Sequence, residues 1–279
     1  MKRVLITGAN SYIGCSFEEY LLKWPMKYRV DVLDMLDANW ESFDFSAYDA
    51  ILHVAGIAHI KETPKNKNMY YEVNRDLAIK VANKAKSAKV KNFILLSSMS
   101  VYGLLKGKVT KETAAFPNSA YGASKFLADN SILSMSDSSF KVAVLRPPMV
   151  YGKGCKGNYQ QLRKFVLKTP VFPDYSNERS MIFIGNLCEF IKNTLDNQSS
   201  GVFFPQNKEY VRTSEMARLI ARENGKNLRL SRIFNPFIRV FPFKVLDKVF
   251  GTLIYEKIDT VDKYSFEESV MLSENGNPI

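Results

Sequence analysis

A chain of 279 residues with 46% hydrophobic content is long enough for one large α/β domain, or for such a domain with a smaller one appended. It carries no run of 18 apolar residues, and its first letters, MKRVLITG, pass straight into a strand-like VLI; stable membrane insertion and a secretory leader are set aside, and a soluble cytoplasmic protein is expected. The 39 Lys and Arg against 28 Asp and Glu give a net charge of +11, which favours anionic partners, yet the basic residues are dispersed, which argues against nucleic acid and for a phosphorylated small molecule.

Strand-like runs at VLIT (4–7), RVDVLD (29–34), AILHVAG (50–56), FILLSS (93–98) and KVAVLRP (141–147) alternate with amphipathic stretches such as SFEEYLLKW (16–24), NRDLAIKVANKAKSA (74–88) and YGASKFLADNSIL (121–133). This alternation predicts an α/β fold, a Rossmann-type doubly wound parallel sheet, over residues 1–150. After residue 150 the texture changes to GKGCKGN, KTPVFPD and a tail rich in aromatics with Pro236 and Pro242. A smaller, loop-rich substrate-binding domain is expected there, over 151–279, with about 180–205 packing back on the first domain. Within it, RIFNPFIRVFPFKVLDKVFGTLI (232–254) mixes Phe, Ile and basic residues as an interfacial membrane anchor does. Two prolines forbid one long helix, and buried aromatic packing is the preferred reading.

TGANSYIG (7–14) follows the first strand and opens a helix, placing Gly8, Ser11 and Gly14 at the three positions of a glycine-rich dinucleotide loop, with Asn10, Tyr12 and Ile13 between them. Gly8 permits the tight turn, a small residue at 11 lets backbone N–H groups approach a pyrophosphate, and Gly14 lets helix and strand pack closely. The second strand ends at Asp34, 20 residues after Gly14, where a carboxylate accepts hydrogen bonds from an adenosine ribose. That acid repels a 2′-phosphate, so NAD is expected over NADP. Asp44 and Phe45 follow too soon for another βα unit and are assigned to the adenine pocket.

FILLSSMSVYG (93–103) ends its strand in hydroxyls, and 23 residues after Ser98 comes Tyr121, with Lys125 one helical turn further on the same face. A phenol with an ordinary pKa of about 10 is a poor base near neutrality, and a nearby ammonium lowers that value, so Tyr121 is expected as acid and base with Ser98 bonding the reacting oxygen. His53 and His59 are read as structural. The three cysteines, Cys15, Cys155 and Cys188, form no CxxC pair, and no metal site is expected.

With TGANSYIG, HVAG (53–56), VNRD (73–76), SSMSVYG, YGASK and RPPMVYGKG (146–154) in this order, the chain resembles the extended short-chain dehydrogenase/reductases, in particular their NAD-dependent epimerase/dehydratase branch acting on nucleotide sugars. The resemblance implies that Val54, Ala55, Gly56 and Pro148 line the cofactor, that Asn74 supports its nicotinamide side, and that Tyr121 and Lys125 also contact it. Dehydratases of this type carry an Asp-Glu pair where Met99 and Ser100 stand here, so dehydration is set aside; Met149 replaces an Asn that contacts the hexose in many sugar epimerases. CKGNY (155–159), NERSMIFIGNL (177–187) and VFGTLIYEK (249–257) resemble the substrate side of enzymes that epimerise or reduce C4 of UDP-activated N-acetylhexosamines for surface polysaccharides. The match assigns Asn158 to the nucleotide or the diphosphate and Arg179 to the diphosphate, and adds Ser100 and Lys156 to the substrate contacts. The expected activity is C4 epimerisation of a UDP-hexose or UDP-N-acetylhexosamine by a homodimer. A 4-keto reductase using NAD(P)H is the alternative, and a non-catalytic dinucleotide sensor is the reading from another class.

Overall fold

The computed structural model describes residues 1–58, 60–240 and 243–276, so the expectations for His59 and Pro242 lie outside the described residues. The elements run in chain order β1 (Lys2–Thr7), α1 (Tyr12–Leu21), β2 (Tyr28–Leu33), β3 (Ala50–His53), α2 (Lys67–Tyr71), a π-helical turn (Glu72–Leu77), α3 (Ala78–Ser87), β4 (Asn92–Leu96), β5 (Gly107–Val109), α4 (Ala120–Leu133), β6 (Lys141–Leu145), β7 (Met149–Tyr151), α5 (Asn158–Lys168), β8 (Val171–Pro173), β9 (Met181–Phe183), α6 (Ile184–Asn197) and β10 (Gly201–Phe203). A helical C-terminal part follows: β11 (Gln206–Asn207), α7 (Thr213–Glu223), β12 (Arg229–Ser231), α8 (Asn235–Val240), α9 (Lys244–Phe250), β13 (Leu253–Tyr255), β14 (Thr260–Val261) and α10 (Phe266–Asn275).

Six parallel strands form the central sheet in the order β10-β6-β4-β3-β1-β2. Its central strands are apolar on both faces, as they must be when helices cover both sides. Val4, Ile6, Leu52, Ile94 and Leu145 point to one side, where Phe17 and Tyr20 of α1 and Leu187 and Ile191 of α6 pack on them. Leu5, Ile51, Phe93, Leu95 and Val144 point to the other, against Val81 and Ala85 of α3 and Ala128 and Ile132 of α4. This is the doubly wound Rossmann arrangement. The chain runs from β1 out to β2 at the edge and returns to β3 on β1's other flank through only a short 3-10 turn, Trp40–Ser42. The crossing point lies between β1 and β3, where such sheets bind ligands beyond the strands' carboxyl ends.

Among the described residues, the segment after residue 150 joins six helices by loops, and its short strands pair with one another or with the first part of the chain: β7 with β9, β8 with β12, β11 with β14, and β13 with β5. β10 completes the main sheet beside β6. The buried aromatic packing expected for 232–254 is only half present. Ile238, Leu246 and Val249 pack on the core, but Ile233, Phe234, Val240 and Val245 are 79%, 41%, 72% and 71% exposed, because the short helices α8 and α9 each present only one face inward.

Candidate active site

The loop after β1 is shaped by contact with the loop after β3. Gly8 adopts φ +122°, and a Cβ there would stand 2.6 Å from the Ala55 nitrogen, so only glycine fits. The Val54 and Ala55 N–H groups both donate to the Thr7 carbonyl, at 3.1 and 2.9 Å, which ties the two strand ends together. Asn10 sits in the left-handed region at φ 60°, a conformation that Asn tolerates better than most residues. Ser11 does more than replace a glycine: with φ −74° it caps α1, its hydroxyl accepting the Gly14 N–H at 3.2 Å. The N–H groups of Tyr12 and Ile13, in the first helical turn, have no intrahelical acceptor and are available to an anion. The Tyr12 ring itself lies against Gly152 and Gly154 of the loop after β7, its hydroxyl buried with no partner among the described residues and its pKa pushed up by burial. The part of Tyr12 that faces a cofactor is thus its backbone.

Asp34 is exposed immediately after β2, and its Oδ1 accepts the Leu36 N–H at 2.9 Å. Asp44 is exposed as well and takes the Ser46 N–H and hydroxyl, each at 2.8 Å; the backbone bond is the main reason its carboxyl is held low. Phe45 corrects the expectation of an adenine-lining side chain. Its ring is 1% exposed, part of the core under α3, with the Lys84 ammonium 5.0 Å from its centroid. With no helix between β2 and β3, the chain needs that ring to close the sheet's face.

At the ends of β3 and β4 the remaining residues converge. Asn74, fully buried in the π-helical turn, accepts the Ile57 N–H at 2.8 Å and donates to the Ile57 carbonyl at 3.1 Å and to Ser124 Oγ at 3.3 Å, clamping the loop after β3 to α4. A π turn widens the helix by one residue and turns Asn74 inward, which no feature of the sequence signalled. Gly56 lies beside this clamp: a Cβ there would meet Asn74 Oδ1 at 2.8 Å and Lys125 Nζ at 3.2 Å. Gly56→Ala is therefore expected to displace both groups, lowering kcat/KM by about 100-fold and reducing the dinucleotide that copurifies, as read by absorbance after denaturation.

Ser98 caps the 3-10 turn Met99–Tyr102 after β4, its hydroxyl accepting the Ser100 N–H at 3.1 Å and donating to Ser100 Oγ at 3.2 Å. Tyr121 faces this turn from the start of α4, with Ser119 capping that helix. Burial raises the phenol's pKa and a hydrogen bond with Ser98 works against the rise; the Tyr70 ring meets it edge-on at 6.3 Å. Lys125 is buried and donates to the Leu96 carbonyl at 2.8 Å. The expected lowering of Tyr121 by Lys125 is thus not what dominates here, since the ammonium is turned to the strand end and burial outweighs it. Burial brings Lys125 itself down to about 8, opposed by Asp129. Pro148 is buried just past β6, where the Pro147 carbonyl accepts the Met99 N–H at 3.0 Å.

Beneath Lys125 lies a network that sequence reasoning missed. Asp129, one helical turn on and fully buried, accepts from Arg146 Nε at 2.9 Å and from the Ser97 hydroxyl at 2.8 Å; Arg146 Nη1 donates to the Tyr102 hydroxyl at 2.9 Å. Burial lifts the Asp129 carboxyl to about 6 against the pull of Arg146. A charge closing an otherwise apolar strand (KVAVLR) and a carboxylate four residues after Lys125 were the available signals. His53, also buried, shares a 2.8 Å bond between Nδ1 and Thr7 Oγ1 and is pushed down to about 3 by burial, which fits the structural reading.

On the substrate side, Ser100 is exposed beside Ser98, and Lys156 and Asn158 are exposed where α5 begins. Arg179 is half-buried: its N–H and carbonyl bridge to Val211, and its Nη1 donates to the Gly251 carbonyl at 2.7 Å. Among the described residues it has no carboxylate partner, and burial lowers its pKa, so the guanidinium is fixed in place with its charge uncompensated. Among the described residues no group of three or more His, Cys, Asp or Glu is placed to hold a metal ion.

A glycine-shaped loop and a free helix N-terminus at the crossing point of a six-stranded parallel sheet define a dinucleotide-binding enzyme of the Rossmann class. Over residues 4–203 the chain matches the family described as "NAD dependent epimerase/dehydratase family", and it belongs to that family. It is 29% identical to the UDP-glucose 4-epimerase of Vibrio cholerae, over 94% of this chain and 85% of that protein. It is 26% identical to the N-acetyl-alpha-D-glucosaminyl-diphospho-ditrans,octacis-undecaprenol 4-epimerase of Escherichia coli O157:H7, over 89% of this chain and 81% of that one. Its fold superimposes on the UDP-N-acetylglucosamine 4-epimerase of Bacillus cereus with a TM-score of 0.76 at 13% identity, covering 97% of each chain. The residues present fit NAD: the Tyr12 and Ile13 amides at the start of α1 would meet a pyrophosphate, and the exposed Asp34 carboxylate after β2 would accept from a ribose hydroxyl.

Proposed function

We propose that the chain is an NAD-dependent C4-epimerase of a UDP-linked hexose or N-acetylhexosamine. The observation that carries this reading is the convergence of Ser98, Tyr121 and Lys125 beyond the carboxyl end of β4, the neighbour of β3, in a chain that aligns along 85% of a UDP-glucose 4-epimerase. When bound, NAD would supply a hydride acceptor at C4 and then a hydride donor to the opposite face of the 4-keto sugar once that sugar has turned. The protein's part is proton transfer and positioning. Tyr121 takes the O4 proton as the alcohol becomes a ketone and gives it back on return, Ser98 holds O4 by a hydrogen bond, and the Lys125 ammonium stabilises the phenolate. Arg179 and Asn158 hold the diphosphate, where a fixed guanidinium bonds two oxygens at once. Met99 and Ser100, in place of an acid pair, leave nothing to remove water from the sugar.

In this reading residues 1–150 hold the dinucleotide and 151–279 hold the sugar nucleotide, with 180–205 returning to the first lobe, in a cytoplasmic homodimer. Denaturing the purified protein and identifying the released dinucleotide by mass spectrometry, followed by incubation with UDP-glucose, UDP-N-acetylglucosamine and a 4-keto sugar, tests the proposal. Retained NAD and redox-neutral conversion at C4 are expected. Stoichiometric consumption of NAD(P)H by the 4-keto sugar, without epimerisation, would sink it in favour of a reductase.

A further inference from the structure

The outward side of residues 232–240 and 245–248 is exposed and lies outside the catalytic site. It follows β12 as a 3-10 turn (Arg232–Phe234) and the short helices α8 and α9. Ile238, Leu246 and Val249 anchor it to the core, so its outward side chains are held outward by packing on their inner neighbours. On that outer side Ile233, Val240 and Val245 are 79%, 72% and 71% exposed, with Phe234 at 41%. Large apolar side chains concentrated in this way mark a binding surface. The same stretch, 229–248, carries Arg229, Arg232, Arg239, Lys244 and Lys248 against a single acid, Asp247, which is paired with Lys106 at 2.6 Å, while Arg232 is held by Asp174 at 3.0 Å.

We propose that this face docks the protein on the surface of an anionic phospholipid bilayer. Among the described residues no helix is long and apolar enough to cross a membrane, so the contact is peripheral. Apolar side chains that enter the headgroup region, flanked by basic residues that meet lipid phosphates, are the two signals that together give stable interfacial binding when neither suffices alone. Charge decides between a bilayer and a second copy of this chain. A symmetric dimer through this face would bring two basic strips together on molecules of net charge +11 each, whereas an anionic surface neutralises them. The docked segment leads directly into Gly251, whose carbonyl holds Arg179, and Lys106 ties it to the loop that follows the Ser98 turn. Docking therefore sets the mouth of the site beside the lipid headgroups.

The test is cosedimentation of the full chain, with its dinucleotide, on large vesicles of phosphatidylglycerol or of phosphatidylcholine. Binding to the anionic vesicles at low ionic strength is expected, falling by about tenfold or more on phosphatidylcholine or in high salt. Ile233→Asp with Val240→Asp is expected to weaken vesicle binding by about tenfold or more while leaving turnover of a soluble nucleotide sugar unchanged, since both side chains lie outside the site. The same turnover assay reads the activity proposed above separately from docking. Three outcomes would overturn the proposal: no binding to phosphatidylglycerol vesicles, equal binding by the double variant, or self-association of the wild type that the double variant abolishes, which would assign the face to a second copy.

Discussion

Tyr121→Phe is expected to lower kcat by about 1,000-fold while the protein still purifies with its dinucleotide, because the substitution removes one hydroxyl and leaves the ring's edge-on contact with Tyr70 in place. Burial holds this phenol above its ordinary pKa, with Ser98 pulling the other way. The active pair, a phenolate beside an ammonium, holds one proton between the two groups, so epimerisation by the wild type should rise as pH passes through about 8, where the first proton leaves, and fall only above the phenol's ordinary range, where the second does. The Phe variant should keep neither limb. A steady-state pH profile of kcat for both proteins checks this. Equal kcat for the two would remove Tyr121 from the chemistry while leaving the fold assignment untouched.

The sheet was legible because parallel strands buried on both faces leave apolar runs that helices interrupt, and each run sits where a strand of the central sheet lies. The glycine loop was legible because Gly8 answers to a backbone conformation that other residues resist. What escaped were features fixed by partners distant in sequence. Ser11 reads as a tolerated replacement until its hydroxyl is seen bonded to the Gly14 N–H. Phe45 reads as a pocket residue beside Asp44, yet the short return from β2 to β3 draws its ring into the core. The π turn that aims Asn74 at Ile57 has no local signature, since it is a register shift fixed by what the helix packs against. The outward apolar side chains of Ile233, Val240 and Val245 show the same limit from the other side. Aromatic content announces contact, and only the placement of Ile238, Leu246 and Val249 settles which side faces the core.

Asp129→Ala is expected to cost about 3–5 kcal/mol of stability near neutral pH, about 10 °C in Tm, since it strands the buried Arg146 guanidinium and leaves the Ser97 hydroxyl without its acceptor. Asp129→Asn separates this loss from titration, because an amide oxygen still accepts from Arg146 and Ser97. In the wild type the folded carboxyl titrates near 6, raised by burial above its unfolded value of about 3.9. A raised folded pKa means that the folded state binds more protons than the unfolded one between those two values. The stability contributed by this group is fully present below the unfolded value and is lost as pH rises through about 6. Chemical denaturation from pH 4 to pH 7 should show that decline in the wild type and not in Asp129→Asn. The carboxylate also supports the Lys125 ammonium, so in both variants Lys125 loses its proton at lower pH and the rising limb of the activity profile moves down from about 8. An unchanged rising limb in two folded variants would reduce Asp129 to a purely structural partner of Arg146.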